Sequence, residues 1–143
     1  MKTFLLVLLS SFTASSAWAC PNFSGTYSLE GGKFSPVKIT QDACATLTMT
    51  VTSEHGTFET VLITDGQTHV TEDDADFFHK YQMTWTEAGL SSRTETLFRQ
   101  PDTKEIAVGF SKLNAQGNLE IHTETTYYPG GNTERKVEIW RRQ

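Results

Sequence analysis

Apolar and polar residues alternate with a period of two along much of the chain beyond residue 20. Tyr81, Met83 and Trp85 alternate with polar residues, and residues 106–111 repeat the pattern. This is the period of a pleated strand that buries one face. Beyond residue 20, no stretch of ten or more residues keeps a convincing helical period, and the Asp-rich segment 72–81 allows at most a single turn. The pattern therefore predicts an all-β protein with little or no helix.

Turn-forming residues divide residues 22–143 into ten strand-sized pieces, because nine breaks rich in Gly, Pro or Asp recur at intervals of about ten residues. The strongest hairpin signal is Asp65-Gly66, since both residues tolerate the positive φ of a type I′ turn. Such short connections favour an antiparallel up-and-down meander of about eight to ten strands that closes into a barrel. A β-sandwich is the competing architecture, although Greek-key sandwiches need some longer crossings.

Small hydroxyl side chains occupy several positions in the apolar phase of the strands, which we take as inward. Small barrels are either packed solid or hold one small ligand, and inward hydroxyl groups provide both space and hydrogen-bonding groups. Threonine is also a common strand residue, so a filled interior remains the alternative. The predicted cavity residues are Tyr81, Met83, Trp85, Thr94, Thr96, Phe98, Phe110, Thr123, Thr125 and Tyr127.

Residues 1–19 have the organisation of a secretory signal peptide. Lys2 provides the positive start, residues 4–12 form a short apolar centre, and Ala17 to Ala19 form a small-x-small cleavage site. The apolar run is shorter than the roughly 20 residues that span a bilayer. We therefore expect a secreted or periplasmic protein without a transmembrane segment, in which residues 20–143 fold as one domain.

Cys20 would be the first residue after cleavage, which is the position where a bacterial lipoprotein carries its lipid. Ala17 and Trp18 fit the lipobox pattern of that class poorly. The only other cysteine is Cys44, and two cysteines of an exported chain can pair. Closing this loop of about 25 residues would stabilise the fold by roughly 3.5 kcal/mol. We predict a Cys20–Cys44 disulfide, with acylation of Cys20 as the alternative.

The net charge of −5 is concentrated in the middle of the chain, where residues 53–87 contain eight acidic residues and only Lys80 as a base. Nucleic acid is a poor partner for such a chain, because phosphate binding needs a basic surface. A cationic protein partner is compatible with the acidic segment. The same segment holds the densest group of potential metal ligands, namely His69, Glu72, Asp73, Asp74, Asp76 and His79.

The spacing of these potential ligands matches neither a calcium-binding loop nor a paired-histidine zinc motif. We expect a solvated loop here, with no metal and no cofactor, and we expect His122 to lie on the surface beside Glu120 and Glu124. The chain also lacks nucleophile motifs and a glycine-rich phosphate loop. We therefore do not expect an enzyme.

The segment 22–29, with Gly25-Thr26-Tyr27, resembles the first strand of the calycin superfamily, which comprises lipocalins, fatty-acid-binding proteins and avidins. In lipocalins a basic residue of the last strand packs over the first-strand aromatic ring, and Arg141 is the candidate because it is in phase with Val137 and Ile139. The departures from the family, which are Tyr27 in place of Trp and the absence of the family's helices, fit a short-looped bacterial type of barrel.

The resemblance implies a lipocalin-like barrel that binds a small, partly apolar ligand in its interior. The alternative is a periplasmic or secreted protein-binding module, such as an inhibitor of a cationic enzyme, that acts through the acidic residues between 54 and 87. A structural envelope component without a small ligand is a third possibility.

Overall fold

The computed structural model describes residues 19–143, so the predicted signal peptide lies outside the described residues except for Ala19. This part of the chain forms ten antiparallel strands and no helix. In chain order the strands are β1 Gly25–Leu29, β2 Val37–Asp42, β3 Thr46–Ser53, β4 Gly56–Ile63, β5 Asp65–Asp73, β6 Phe77–Thr86, β7 Gly89–Arg99, β8 Asp102–Leu113, β9 Leu119–Tyr128 and β10 Asn132–Arg142.

The ten strands belong to one sheet with the order β4-β3-β2-β1-β10-β9-β8-β7-β6-β5, which curls into a nearly closed barrel. All strands that follow each other in sequence are neighbours in this sheet except β4 and β5, and the first and last strands pair with each other. The predicted all-β meander is therefore confirmed, and the sandwich is not observed. No helix of the described part is both long and apolar enough to cross a membrane.

Asp65 and Gly66 do not form the hairpin that the sequence predicts, because β4 and β5 are the two edges of the sheet. Asp65 instead begins β5 and pairs with Thr84 of β6. Gly66 has a φ of 77° and lies where the register between β5 and β6 shifts. Gly66 therefore has the left-handed backbone that the sequence predicts, but it forms a bulge within a strand and not a turn between strands.

The buried residue Thr64 fixes the single-residue connection between β4 and β5. Its backbone N–H donates to the carbonyl of Ala45 at 2.8 Å, and its hydroxyl donates to the carbonyl of Cys44, also at 2.8 Å. The same hydroxyl oxygen accepts the indole N–H of Trp85 at 3.0 Å. These bonds satisfy the polar groups of a residue that is only 4% exposed, as burial requires.

A core of apolar side chains fills the end of the barrel that contains this connection, which we call the core end. The ring of Phe23 meets Trp85 edge-on with centroids 5.0 Å apart, and the Tyr27 hydroxyl donates to the Phe23 carbonyl at 2.9 Å. Phe23 precedes the first strand, so these contacts hold the start of the described part of the chain against the opposite wall. The buried apolar cluster comprises Phe23, Tyr27, Val37, Ile39, Leu47, Trp85, Leu90 and Leu119.

A basic residue of the last strand does pack over Tyr27, but it is Arg142 and not Arg141. The Arg142 guanidinium lies 6.0 Å from the centroid of the Tyr27 ring and donates to the Ser24 carbonyl. Arg141 points to the other face and pairs with Glu30. The prediction chose Arg141 because it is in phase with residues whose apolar side chains turn out to lie on the outer face.

Gly25 makes room for the Arg142 side chain. A Cβ at this position would stand 2.9 Å from Nε of Arg142 and 3.2 Å from the ring of Tyr27. Real Cβ atoms do not approach side chains so closely, so a larger residue would displace the guanidinium. Gly25, Tyr27 and Arg142 thus form one packing unit, which we call the Gly-Tyr-Arg unit.

The predicted disulfide is present between Cys20 and Cys44, with Cα atoms 5.7 Å apart. Gln41 reinforces it: its side-chain oxygen accepts the N–H of Phe23 at 2.8 Å, and its side-chain nitrogen donates to the carbonyl of Ala43 at 2.8 Å. Because the sulfur of Cys20 is part of the disulfide, it cannot also carry a thioether-linked lipid. A disulfide is consistent with an oxidising extracellular or periplasmic environment.

We expect Arg142→Ala to lower the free energy of unfolding by about 1–2 kcal/mol, because it removes a cation–π contact and a charged hydrogen bond. Arg141→Ala is the matched control, and it should leave stability nearly unchanged because its ion pair is exposed. Urea unfolding of the two variants tests this assignment. Equal losses in both variants would contradict it.

Replacing both Cys20 and Cys44 with serine should lower the free energy of unfolding by about 3 kcal/mol, because a loop closed over a sequence separation of 24 residues restricts the unfolded chain. The fold itself should persist, since the core end is built from apolar contacts. Far-ultraviolet circular dichroism and denaturant titration measure both quantities. An unfolded double variant would show that the core alone does not sustain the barrel.

Candidate functional site

Cross-strand pairing assigns each side chain to the inner or outer face, because directly opposed residues project to the same side. Trp85 pairs with Leu90, Leu90 with Ser111, and Ser111 with Ile121. Trp85 and Leu90 belong to the buried core, so this row marks the inner face. Toward the opposite end, which we call the open end, the inner positions of β9 and β10 become more polar, whereas β6 and β7 still carry aromatic residues such as Tyr81 and Phe98.

Nine of the ten predicted cavity residues lie on this inner face. Tyr81, Met83 and Trp85 are on β6, Thr94, Thr96 and Phe98 on β7, and Thr123, Thr125 and Tyr127 on β9. They do not all have the same surroundings. Tyr81 and Trp85 are 4% and 7% exposed, and the Tyr81 hydroxyl accepts the N–H of Ile63 at 2.9 Å. These two are structural residues of the barrel wall.

Phe110 lies on the outer face, so its predicted place in the cavity is wrong. It pairs with Ser91 on one side and with His122 on the other. With Val108 and Val137 it borders an apolar depression on the outer wall. The prediction assumed that the more apolar phase of a strand faces inward, whereas between residues 106 and 111 β8 places its small residues inward and its large ones outward.

A cavity of about 330 Å³ lies on the inner face between β9 and β10, and we call it the interior pocket. Three of the predicted residues line it, together with three charged residues of the last strand. The lining residues are Thr123, Thr125, Tyr127, Glu134, Lys136 and Glu138. Trp140, which shares the phase of Lys136 and Glu138, is the signal that could have identified the inward face of β10.

Charged groups in the interior pocket form contacts with each other and with the tyrosine. Lys136 Nζ and Glu138 Oε1 are 2.7 Å apart, and the Tyr127 hydroxyl donates to Oε2 of Glu134 at 3.3 Å. The hydrogen bond that the Lys136 ammonium donates to Glu138, together with the charge of that carboxylate, raises the pKa of Lys136. Both Glu134 and Lys136 are exposed although they face inward, so water reaches this end of the barrel.

Partial burial raises the pKa of Tyr127, and the charges of Glu134 and Glu105 raise it further. Both effects disfavour the phenolate, because ionisation would place a negative charge in a partly desolvated site beside other negative charges. The Tyr127 hydroxyl is therefore a hydrogen-bond donor throughout the neutral pH range. The interior pocket offers this hydroxyl, the hydroxyl groups of two threonines, one ammonium and two carboxylates.

A small apolar cavity of about 40 Å³ lies next to the interior pocket, and we call it the floor cavity. Ile121 joins the two spaces, because it lines the floor cavity and pairs with Glu138 of the pocket. The indole N–H of Trp140 is buried and has no acceptor in the described part of the chain. The residues around the floor cavity are Tyr27, Val37, Ile39, Met49, Leu119, Ile121 and Trp140.

The acidic residues near the turn between β5 and β6 are exposed, but the predicted loop is limited to residues 74–76, because β5 extends to Asp73 and β6 begins at Phe77. Two of these acidic residues have structural partners. Asp73 pairs with Arg99 at 2.6 Å. The carboxylate of Asp74 accepts the N–H groups of Asp76 and Phe77 at 2.9 and 2.7 Å and so forms the turn. Within residues 19–143, no three His, Cys, Asp or Glu side chains are arranged to hold a metal ion.

Three histidines each make one polar contact with a neighbouring side chain. His69 Nε2 lies 2.8 Å from Oδ1 of Asp65, and this hydrogen bond lowers the pKa of the carboxyl group. His79 Nδ1 is 2.9 Å from the hydroxyl of Thr96 on the inner face. His122 contacts Glu120 on the outer face, as predicted.

Comparison with protein-family models finds none that matches the chain, and comparison with curated proteins finds no significant similarity. The class that the fold defines is a ten-stranded, nearly closed antiparallel β-barrel with an intramolecular disulfide. This architecture is compatible with a lipocalin-like barrel.

We expect Glu134→Gln to lower the pKa of Tyr127, because the substitution removes a negative charge beside the phenol. Glu124→Gln, on the outer face of β9, is the matched control and should not move this pKa. Ultraviolet difference titration, with Tyr127→Phe variants used to subtract the other tyrosines, measures the shift. A pKa that is unchanged in Glu134→Gln would contradict the electrostatic coupling inside the pocket.

Proposed function

We propose that this protein is an exported, non-enzymatic β-barrel of lipocalin-like type that binds a small amphipathic molecule in its interior. The observation that carries the proposal is the polarity gradient along the inner face of β9. Leu119 and Ile121 border the floor cavity, whereas Thr123, Thr125 and Tyr127 border the interior pocket. Binding sites of this kind combine apolar surface with a few placed polar groups.

The Gly-Tyr-Arg unit and the strand pairing of β1 with β10 support the calycin-like assignment. The disulfide supports export, since such bonds persist in oxidising compartments. The residues that support the site are those of the interior pocket, and the polar half of a ligand would contact Tyr127, Glu134 and Lys136.

The floor cavity favours the apolar part of a ligand, because only apolar atoms face it. The buried indole N–H of Trp140 has no acceptor in the described part of the chain, but it does not open onto this space. The polar contacts of a ligand would therefore be made in the interior pocket.

The alternative, a protein-binding module that acts through the acidic segment, has less support. Two of the four carboxylates at its centre, those of Asp73 and Asp74, already have partners within the chain. Charge alone would steer a cationic protein toward this turn, but the segment offers no ordered array of unpaired acceptors.

We expect Thr125→Phe to abolish binding of the neutral amphipathic dye N-phenylnaphthylamine, because an inward aromatic ring would occupy the interior pocket. Thr126→Phe places the same ring on the outer face of the same strand and should bind the dye as the wild type does. Dye fluorescence, with native mass spectrometry of the protein purified from its host, provides the measurement. Equal dye binding by wild type and Thr125→Phe would refute an interior site.

A further inference from the structure

The two edges of the sheet differ sharply in how they are protected against pairing with another strand. Natural sheets protect their edges with charged residues, bulges or covering loops, because the unpaired backbone groups of an edge strand can bind a further strand. The β5 edge has such protection. Its register shifts twice, between Asp65 and Thr68 and between Val70 and Glu72, and three of its nine residues are acidic.

The β4 edge has little of this protection: it contains no bulge and one acidic residue, and the N–H of Ile63 at its end bonds to the Tyr81 hydroxyl. Its eight residues, GTFETVLI, pair with β3 in an uninterrupted register from Gly56 to Ile63. Glu59 is the only charged residue of the strand, and every residue except Leu62 is exposed. Phe58 and Val61 are 61% and 52% exposed, although they belong to opposite faces. A regular, apolar and nearly uncharged edge is the type that pairs with another strand.

We propose that β4 is the surface through which two copies of this chain associate, by antiparallel pairing of β4 with β4 about a two-fold axis at Thr60. The inner faces of the two copies can lie on the same side of the joined sheet only if each inward residue of one β4 strand pairs with an inward residue of the other. Pairing centred on Thr60 aligns Thr60 with Thr60, Glu59 with Val61, and Phe58 with Leu62.

Side-chain chemistry selects this register over its neighbours. A two-fold axis at Glu59 would place two carboxylates directly opposite each other, which is destabilising. An axis at Val61 would place Phe58 opposite Thr64, which is buried in the core end. With the axis at Thr60, the exposed Phe58 ring packs against Leu62 of the second copy. Thr60 then lies opposite Thr60 of that copy, and antiparallel strands favour such threonine pairs.

The second edge explains why the assembly would stop at two copies. Pairing of β4 with β5 of another copy would generate an open chain of molecules. The acidic residues and bulges of β5 oppose such pairing, whereas β4 is complementary to itself. The occupant of this edge is therefore a second copy. The inference is independent of the proposed interior ligand, because the β4 edge lies outside the interior pocket.

Sedimentation equilibrium over a concentration series tests the proposal on the mature protein. We expect wild type to dimerise reversibly and Thr60→Lys to raise the dimer dissociation constant at least about tenfold, because it places two ammonium groups at the two-fold axis. Thr68→Lys makes the same change at an exposed position of β5 and should leave dimerisation unchanged. A wild type that is monomeric throughout, or equal effects of the two lysine variants, would overturn the proposal.

Cysteine substitution provides a test that does not depend on how the lysine variants fold. Thr60→Cys should form a disulfide-linked dimer under mild oxidation, with peptide mapping used to verify that Cys20–Cys44 stays intact. Thr68→Cys is the control and should remain monomeric. Failure of Thr60→Cys to cross-link faster than Thr68→Cys would also overturn the proposed pairing.

Discussion

The hydrogen bonds of Thr64 are the constraint on which the rest of the barrel depends. This residue lies between the two edge strands, and it binds the β2–β3 connection through Ala45 and Cys44 and binds β6 through Trp85. A ten-stranded sheet with free edges could twist into an open structure. Thr64 joins the two edge strands and is held by hydrogen bonds in the core end, so the sheet must curl there. Toward the open end, β4 and β5 are free to separate.

This one-sided closure accounts for the unequal filling of the barrel. Near Thr64 the inner face bears large apolar side chains that are almost fully buried. Toward the open end the middle rows of β7, β8 and β9 hold serine, threonine, alanine and glycine beside charged residues of β10, and the aromatic rings of Phe77, Phe98 and Tyr127 lie at the rim. Charged groups are stable on an inner face only where water or a partner charge solvates them. The Lys136–Glu138 pair and the exposure of Glu134 are the expected consequences.

The N-terminal end of the described chain is fastened by contacts of three different kinds. Phe23 packs into the core, and the side chain of Gln41 bonds to the backbone of Phe23 and of Ala43. The disulfide joins Cys20 to Cys44. The Gly-Tyr-Arg unit then ties the first strand to the last. Chain ends usually fray unless they are held, and here the first and last strands pair with each other at the core end.

The sequence by itself determined the strand content, the meander and the disulfide, because period-two alternation, turn residues and a pair of cysteines act locally or leave few alternatives. It also located nine of the ten inner-face candidates. Only the tertiary structure decided the placement of Phe110, the choice of Arg142 over Arg141 and the separation of β4 from β5. For the first two the physical reason is that β8 and β10 carry apolar residues on both faces, so their phase is set by pairing with neighbouring strands. The separation of β4 from β5 has another cause, namely the hydrogen bonds that hold Thr64 in the core end. The role of Asp65-Gly66 likewise depends on the hydrogen bonds of Thr64 with residues about 20 positions distant in sequence.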